Sequence, residues 1–173
     1  MYRTIAIAAS LAAALGVAGA LAAAKPTDPQ IAHIAYTAGV LDIEAAKQAL
    51  DKSKNEDVIA FAQQMVGDHT AVNDQALALV KKLNVTPEDN ATSQSLTQAA
   101  EASRQKFASL DGAASDKAYV DNEVAYHQAV NDALSKTLIP DAQNAELKTL
   151  LQNGLTLFTA HQEHAEQLAK KLN

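Results

Sequence analysis

The sequence predicts an all-α protein, an antiparallel four-helix bundle with one extra shorter helix, preceded by a helical leader. Three observations lead there. Apolar residues recur at threes and fours over long stretches, which is the spacing of one helix face. Proline, glycine and asparagine cluster between those stretches, where helices start and stop. Only 4% of the 173 residues are aromatic, none is Trp, and Ala is abundant, a composition that suits helices packed closely through small side chains.

The leader comes first. Met1-Tyr2-Arg3 is a short cationic start, and Thr4 to Ala24 is small or apolar with no charge until Lys25. That is the layout of a secretory signal peptide, with small residues permitting cleavage after Ala22 or Ala24. Residues 1–24 are therefore expected to be a signal peptide and residues 25–173 the functional domain, placed in the periplasm. The rival reading is an uncleaved membrane anchor, because roughly 20 apolar residues can span a bilayer.

The mature chain then divides by its punctuation. Asp28-Pro29 reads as an N-cap and a first-turn proline, followed by the stripe Ile31, Ile34, Ala38, Leu41, Ala45 and Ala49. Asn55 caps a second helix, with Glu56 and Asp57 at its positive end. Its stripe is Val58, Ala62, Met65, His69, Val72, Ala76, Leu79 and Leu83, and Asn84 to Pro87 ends it. Glu88 to Ser93 reads as a polar loop. A weaker third helix carries Leu96, Ala99, Ala100, Ser103, Phe107 and Leu110, and Asp111-Gly112 stops it. Ser115 or Asp116 opens a fourth, with Val120, Val124, His127, Asn131, Leu134 and Leu138 inward. Pro140 breaks the chain, and the last helix runs from about Ala142 to Lys171 with Leu147, Leu151, Gly154, Phe158, His161, Ala165 and Leu168 inward. Short turns between long amphipathic helices imply antiparallel neighbours.

Composition excludes several function classes. There is no cysteine, so thiol catalysis, zinc ribbons and iron–sulfur clusters are ruled out, and no disulfide framework is needed. The formal charge of −6, with no basic run, disfavours nucleic acid. Glycine-rich phosphate loops and nucleophile elbows are absent. No stable membrane insertion is expected once the leader is cut, and a homodimer is the assembly left open.

The chemistry lies in three histidines. His69, His127 and His161 each interrupt a mainly apolar stripe, and carboxylates stand near them at Asp68, Glu123 and Glu163. Counting from the joint near residue 54, Asp42 and His69 fall within roughly one helical turn of each other. Glu123 and His127 share a face at i,i+4. Asp68 and His69 are adjacent, about 100° apart on the helix, so only one can point straight in. Counted from Pro140, His127 and His161 would be about 12 Å apart along the axis, less if a few residues after Pro140 are not helical. The set His69, His127, His161, Asp68, Asp42 and Glu123 is the candidate metal site, for a divalent transition metal such as Fe, Zn or Cu. The competing reading is a buried histidine–carboxylate hydrogen-bond network that holds no metal. Met65 reads as core filler, Tyr119 and Tyr126 as packing residues with a wet hydroxyl, His33 as a surface residue and Asp116 as a first-turn residue. A di-iron carboxylate centre needs Glu-x-x-His pairs, and the sequence has none; an oxidoreductase is the least favoured class.

Phe61-Ala62-x-x-Met65-Val66-x-Asp68-His69-Thr70-x-x-Asn73, preceded by Asn55-x-x-Val58, resembles the exported bacterial family called domain of unknown function 4142. Gly112, Asp116, Tyr119, His127 and the late His161 before Ala165 match its second half. The resemblance spans about Ile31 to Leu172. It implies a ferritin-like fold, a periplasmic or membrane-associated address and no established activity. It singles out Asp42, Glu44, Asp68, His69, Asp116, Tyr119, His127 and His161. Three positions depart from the family pattern: Ser115 stands for Phe, Thr156 for Pro, and Asp42 for Glu, which shortens the reach there by one methylene. The expectation is an exported bundle protein that binds or senses a metal without catalysis; the alternative is a structural or stress-related envelope protein.

Overall fold

The computed structural model describes residues 25–172, so the expected signal peptide and its expected cleavage sites lie outside the described residues. These residues form an all-α structure of five helices with no strand among them: α1 (Asp28–Lys52), α2 (Glu56–Lys82), α3 (Ala91–Ala108), α4 (Gly112–Ala133) and α5 (Ala145–Lys171). No helix among the described residues is long and apolar enough to cross a membrane. α1 packs on α2, α3 and α4, while α5 packs on α4 and α2.

Of the expected helix starts, Asn55 is the one found as the cap. Asn55 accepts hydrogen bonds from the Asp57 and Val58 amides, at 3.0 and 3.4 Å. Asn144 does the same for Glu146 and Leu147 at the head of α5. At α1 the N-cap is Thr27 rather than Asp28, because the Gln30 side chain reaches back to the Thr27 amide at 3.1 Å. This frees the Asp28 carboxylate to accept from the Gln143 and Asn144 amides, both at 2.8 Å, tying the first helix to the start of the last.

Three boundaries differ from the sequence reading. The stretch Glu88–Ser93 is not wholly loop: Asn90 caps α3 by accepting from Thr92 and Ser93, so Ala91–Ser93 are helical. Its polarity hides a capping pair with Ser in the place usually held by Glu or Gln. α4 begins at Gly112, not at Ser115 or Asp116, and Gly112 takes a φ of +55° that glycine adopts without steric cost. Asp116 is accordingly beyond the first turn, and both it and Ser115 are buried. Pro140 does not break the chain. α4 continues through a π-helical turn, Leu134–Leu138, into a last α-turn, Ile139–Asp141. Proline lacks an N–H and its ring crowds the carbonyl four residues back, and the wider π turn relieves both demands. The true break is Ala142–Asn144.

The interior has two apolar clusters. One contains Ala45, Ala46, Ala49, Val58, Phe61, Ala62, Met65, Phe107, Tyr119, Val120, Ala165 and Leu168. Five of its members are alanines, which let α1, α2 and α5 approach closely. Phe61 and Met65 are fully buried there, each worth about 1.5–3 kcal/mol of transfer free energy. The other cluster holds Ile31, Ile34, Leu134, Leu138, Ala142, Leu147, Leu151 and Phe158. Asp42, His69, Glu123, His127 and His161 occupy the levels between them on α1, α2, α4 and α5, so a buried polar layer separates the two halves of the core.

A buried histidine and carboxylate layer

Four helices each send polar groups into this layer. His69 comes from α2, His127 from α4 and His161 from α5, and all three are buried. Their ring centroids are 5.6 Å (His69–His127), 5.4 Å (His69–His161) and 5.3 Å (His127–His161) apart. One nitrogen from each lies within 4.8 Å of the others. The 12 Å offset counted from Pro140 disappears because α4 runs on to Asp141 while α5 starts only at Ala145. The two histidines are then almost equally far from their helix ends.

Carboxylates meet the cluster from two sides. Asp42 on α1 and Glu123 on α4 are both fully enclosed, and with His127 they bring one ligand atom each within 4.8 Å of the others. Asp42 Oδ2 stands 3.5 Å from His69 Nε2 and 3.6 Å from His127 Nε2. Asp68 is different. Its side chain is 37% exposed, and its Oδ2 pairs with His161 Nε2 at 2.9 Å. It backs the layer from outside and belongs to neither three-residue ligand group. Glu163 is exposed, and Glu44 is turned outward to an ion pair with Arg104.

Among the described residues, the hydrogen bonds of this layer are incomplete. His127 Nδ1 is 3.0 Å from the Glu123 carbonyl, where it donates as an N–H, and Nε2 has no partner. His161 Nε2 faces Asp68, and Nδ1 has no partner. His69 has neither nitrogen partnered; its ring stacks on Phe158 at 4.7 Å and 6°. Among the described residues, both Asp42 oxygens and Glu123 Oε2 likewise lack a well-formed hydrogen bond, although the two carboxyls face each other. An unpaired buried polar group costs about 1–3 kcal/mol, so this concentration of them is expensive unless something binds them. Neutral imidazole with one nitrogen hydrogen-bonded and the other free is the form in which histidine ligates a metal.

Electrostatics keep the layer close to neutral. Burial lowers His69 to about 2, helped by its neighbours His127 and His161, and lowers His127 to about 4. His161 is also lowered by burial, against the opposing pull of Asp68. Burial raises Asp42 to about 7. It raises Glu123 well above the carboxylate range, with the adjacent Asp42 adding to the effect. Glu123 therefore keeps its proton at neutral pH and Asp42 is poised between its two forms, and a bound cation would displace what protons they hold.

The remaining sequence expectations divide. Met65 is core. His33 is only half buried and sits away from the layer, near Thr37 and Asp89. The tyrosines are not wet: Tyr126 donates to the Ala38 carbonyl at 2.8 Å, and the Tyr119 hydroxyl is buried without a partner among the described residues. The Phe158 platform was readable only as an inward apolar residue, since no sequence signal pairs it with His69.

The fold and site thus define an all-helical protein with a buried histidine–carboxylate layer. Residues 12–168 match the family model described as Domain of unknown function (DUF4142), and the chain belongs to that family. Comparison with curated proteins and with solved structures gave no match.

Proposed function

We propose that the protein is an exported, ferritin-like four-helix bundle that holds a divalent transition metal in its polar layer. His69, His127 and His161 would be the imidazole ligands, and Asp42 and Glu123 the carboxylates available to complete the set. Asp68 would act from behind His161, orienting the ring and raising its basicity. The observation that carries this reading is the set of orphaned nitrogens and oxygens: His127 and His161 are each anchored through one ring nitrogen and free at the other. The donor set of imidazole and carboxylate suits iron, zinc and copper alike. Bound there, the metal would be a buried ion, as in storage, buffering or sensing. The charged start and apolar run of residues 1–24 support export, with a mature terminus at Ala23 or Lys25 to be checked by N-terminal sequencing.

A second reading, a metal-free structural network in an envelope protein, draws on the His161–Asp68 and His127–Glu123 contacts, which need no ion. Metal analysis of untagged protein separates the two. The proposal expects close to one equivalent of one transition metal per chain, lost in the His127→Ala variant. Protein that carries none and takes up none on incubation with Fe²⁺, Zn²⁺ or Cu²⁺ contradicts it.

A further inference from the structure

Beside the polar layer lies a cavity of about 700 Å³ among the helices. It is partly open to solvent, a deep cleft rather than a sealed void. It falls in the range of small-molecule sites. Along α1 it runs from Gln30 to Gly39, about 14 Å of helix rise. Its walls are mainly apolar, with Ile34, Leu79, Leu138 and Leu151 among them.

The polar groups sit at its two ends. Lys25, the one cation of its wall among the described residues, is exposed and paired with Asp141 at 2.7 Å. At the inner end, beside His69 and His127, stands Asn73. It is 7% exposed, lines the cavity and makes no hydrogen bond among the described residues. Gly39 lets it lie there: a Cβ at position 39 would come within 2.3 Å of Asn73 Oδ1. A primary amide offers both donors and an acceptor, and it brings no charge.

We propose that the cavity binds an elongated apolar molecule with one neutral hydrogen-bonding head, of the class of a long-chain alcohol, its tail along α1 and its head at Asn73. An anionic head fits poorly, because the inner end offers no cation and Lys25 is already paired at the other. The cavity and the unpartnered amide carry this independently of whether the polar layer holds a metal.

The test uses the full chain in EDTA, so that it reads ligand binding apart from metal binding. The neutral dye N-phenylnaphthylamine is displaced by n-decanol, decanoate or decane, and stoichiometry is read by native mass spectrometry. The expected result is one n-decanol per chain, bound at least tenfold more tightly than decanoate. Asn73→Leu should weaken n-decanol at least fivefold and leave decane unchanged. Ala76→Phe, which fills the cavity, should weaken both at least tenfold. Decanoate binding as tightly as n-decanol, several molecules per chain or no saturable binding would each overturn the proposal on the natural chain alone, without appeal to the folding of a variant. An Asn73→Leu protein that is folded by circular dichroism and binds n-decanol undiminished would overturn the placement of the head.

Discussion

Asp68 Oδ2 and His161 Nε2 meet at 2.9 Å across the α2–α5 interface, although 93 residues separate them in the chain. The contact assigns the ring's outer nitrogen to the carboxylate and leaves Nδ1 free inside. Asp68 is the most exposed member of the group, so it can be changed with little effect on packing. Asp68→Asn should therefore weaken metal binding about 10- to 100-fold, while changing metal-free stability by less than about 1 kcal/mol. Competition against a chelator, beside urea melts of the metal-free protein, measures both. Unchanged affinity in a folded variant would remove Asp68 from the account.

The metal-free protein should be most stable near pH 6 and weaken on either side. Asp42 and Glu123 have raised values in the fold, so folded chains keep protons that unfolded chains release above about pH 4. Their contribution is present at low pH and is lost as pH rises through the folded value of Asp42, about 7, and onward through that of Glu123. The histidines act in the opposite sense. Their lowered values mean that unfolded chains take up protons below about pH 6.5 that the folded layer refuses, so their contribution is lost as pH falls toward 4, the value of His127. The unfolding free energy from urea melts in EDTA should drop by on the order of 2 kcal/mol from pH 6 to pH 9. Glu123→Gln should flatten that alkaline loss. Stability that climbs steadily to pH 9 in the natural chain would show that the carboxyls are not held protonated.

Lys52 closes the structure away from the site. Its ammonium donates to the carbonyls of Phe107, Ala108 and Leu110, at 3.0, 2.8 and 2.6 Å, and so caps the end of α3 from the end of α1. A cation at a helix C-terminus meets both the free carbonyls and the negative end of the dipole. Lys52→Met should cost about 1–2 kcal/mol by chemical denaturation, with metal affinity unaltered. A loss of metal binding in this variant would mean that the layer depends on α3 more than the packing implies.

Helix identities and the inward histidines were legible because each histidine takes a position that a 3.6-residue period assigns to the core. Asp42 was legible too, since its distance from the α1–α2 joint put it level with His69. What was not legible was the pairing between helices. Nothing local tells that Asp68 rather than Glu163 backs His161, because which neighbour packs against that face is a tertiary fact. The level of His161 against His127 depended on where α5 starts, and Pro140 obscured this by lying inside a π-widened extension of α4. Asn90 was missed because the head of α3 is polar on every side, leaving no apolar stripe to mark its first turn. Asn73 matched a family position, but only the cavity gives its amide a setting.

The central claim is that the orphaned atoms of His69 and His127 are metal ligands, and thermal melting with and without metal tests it most directly. Untagged protein at neutral pH, stripped with EDTA and then given Fe²⁺, Zn²⁺ or Cu²⁺, should gain stability from at least one of them, about 2.7 kcal/mol at a hundredfold excess over the dissociation constant. His69→Ala and His127→Ala should each abolish the gain, beyond the roughly 1–3 kcal/mol that either loses without metal. A melting temperature of the natural chain that none of the three ions moves would contradict the claim and leave the layer as a structural network.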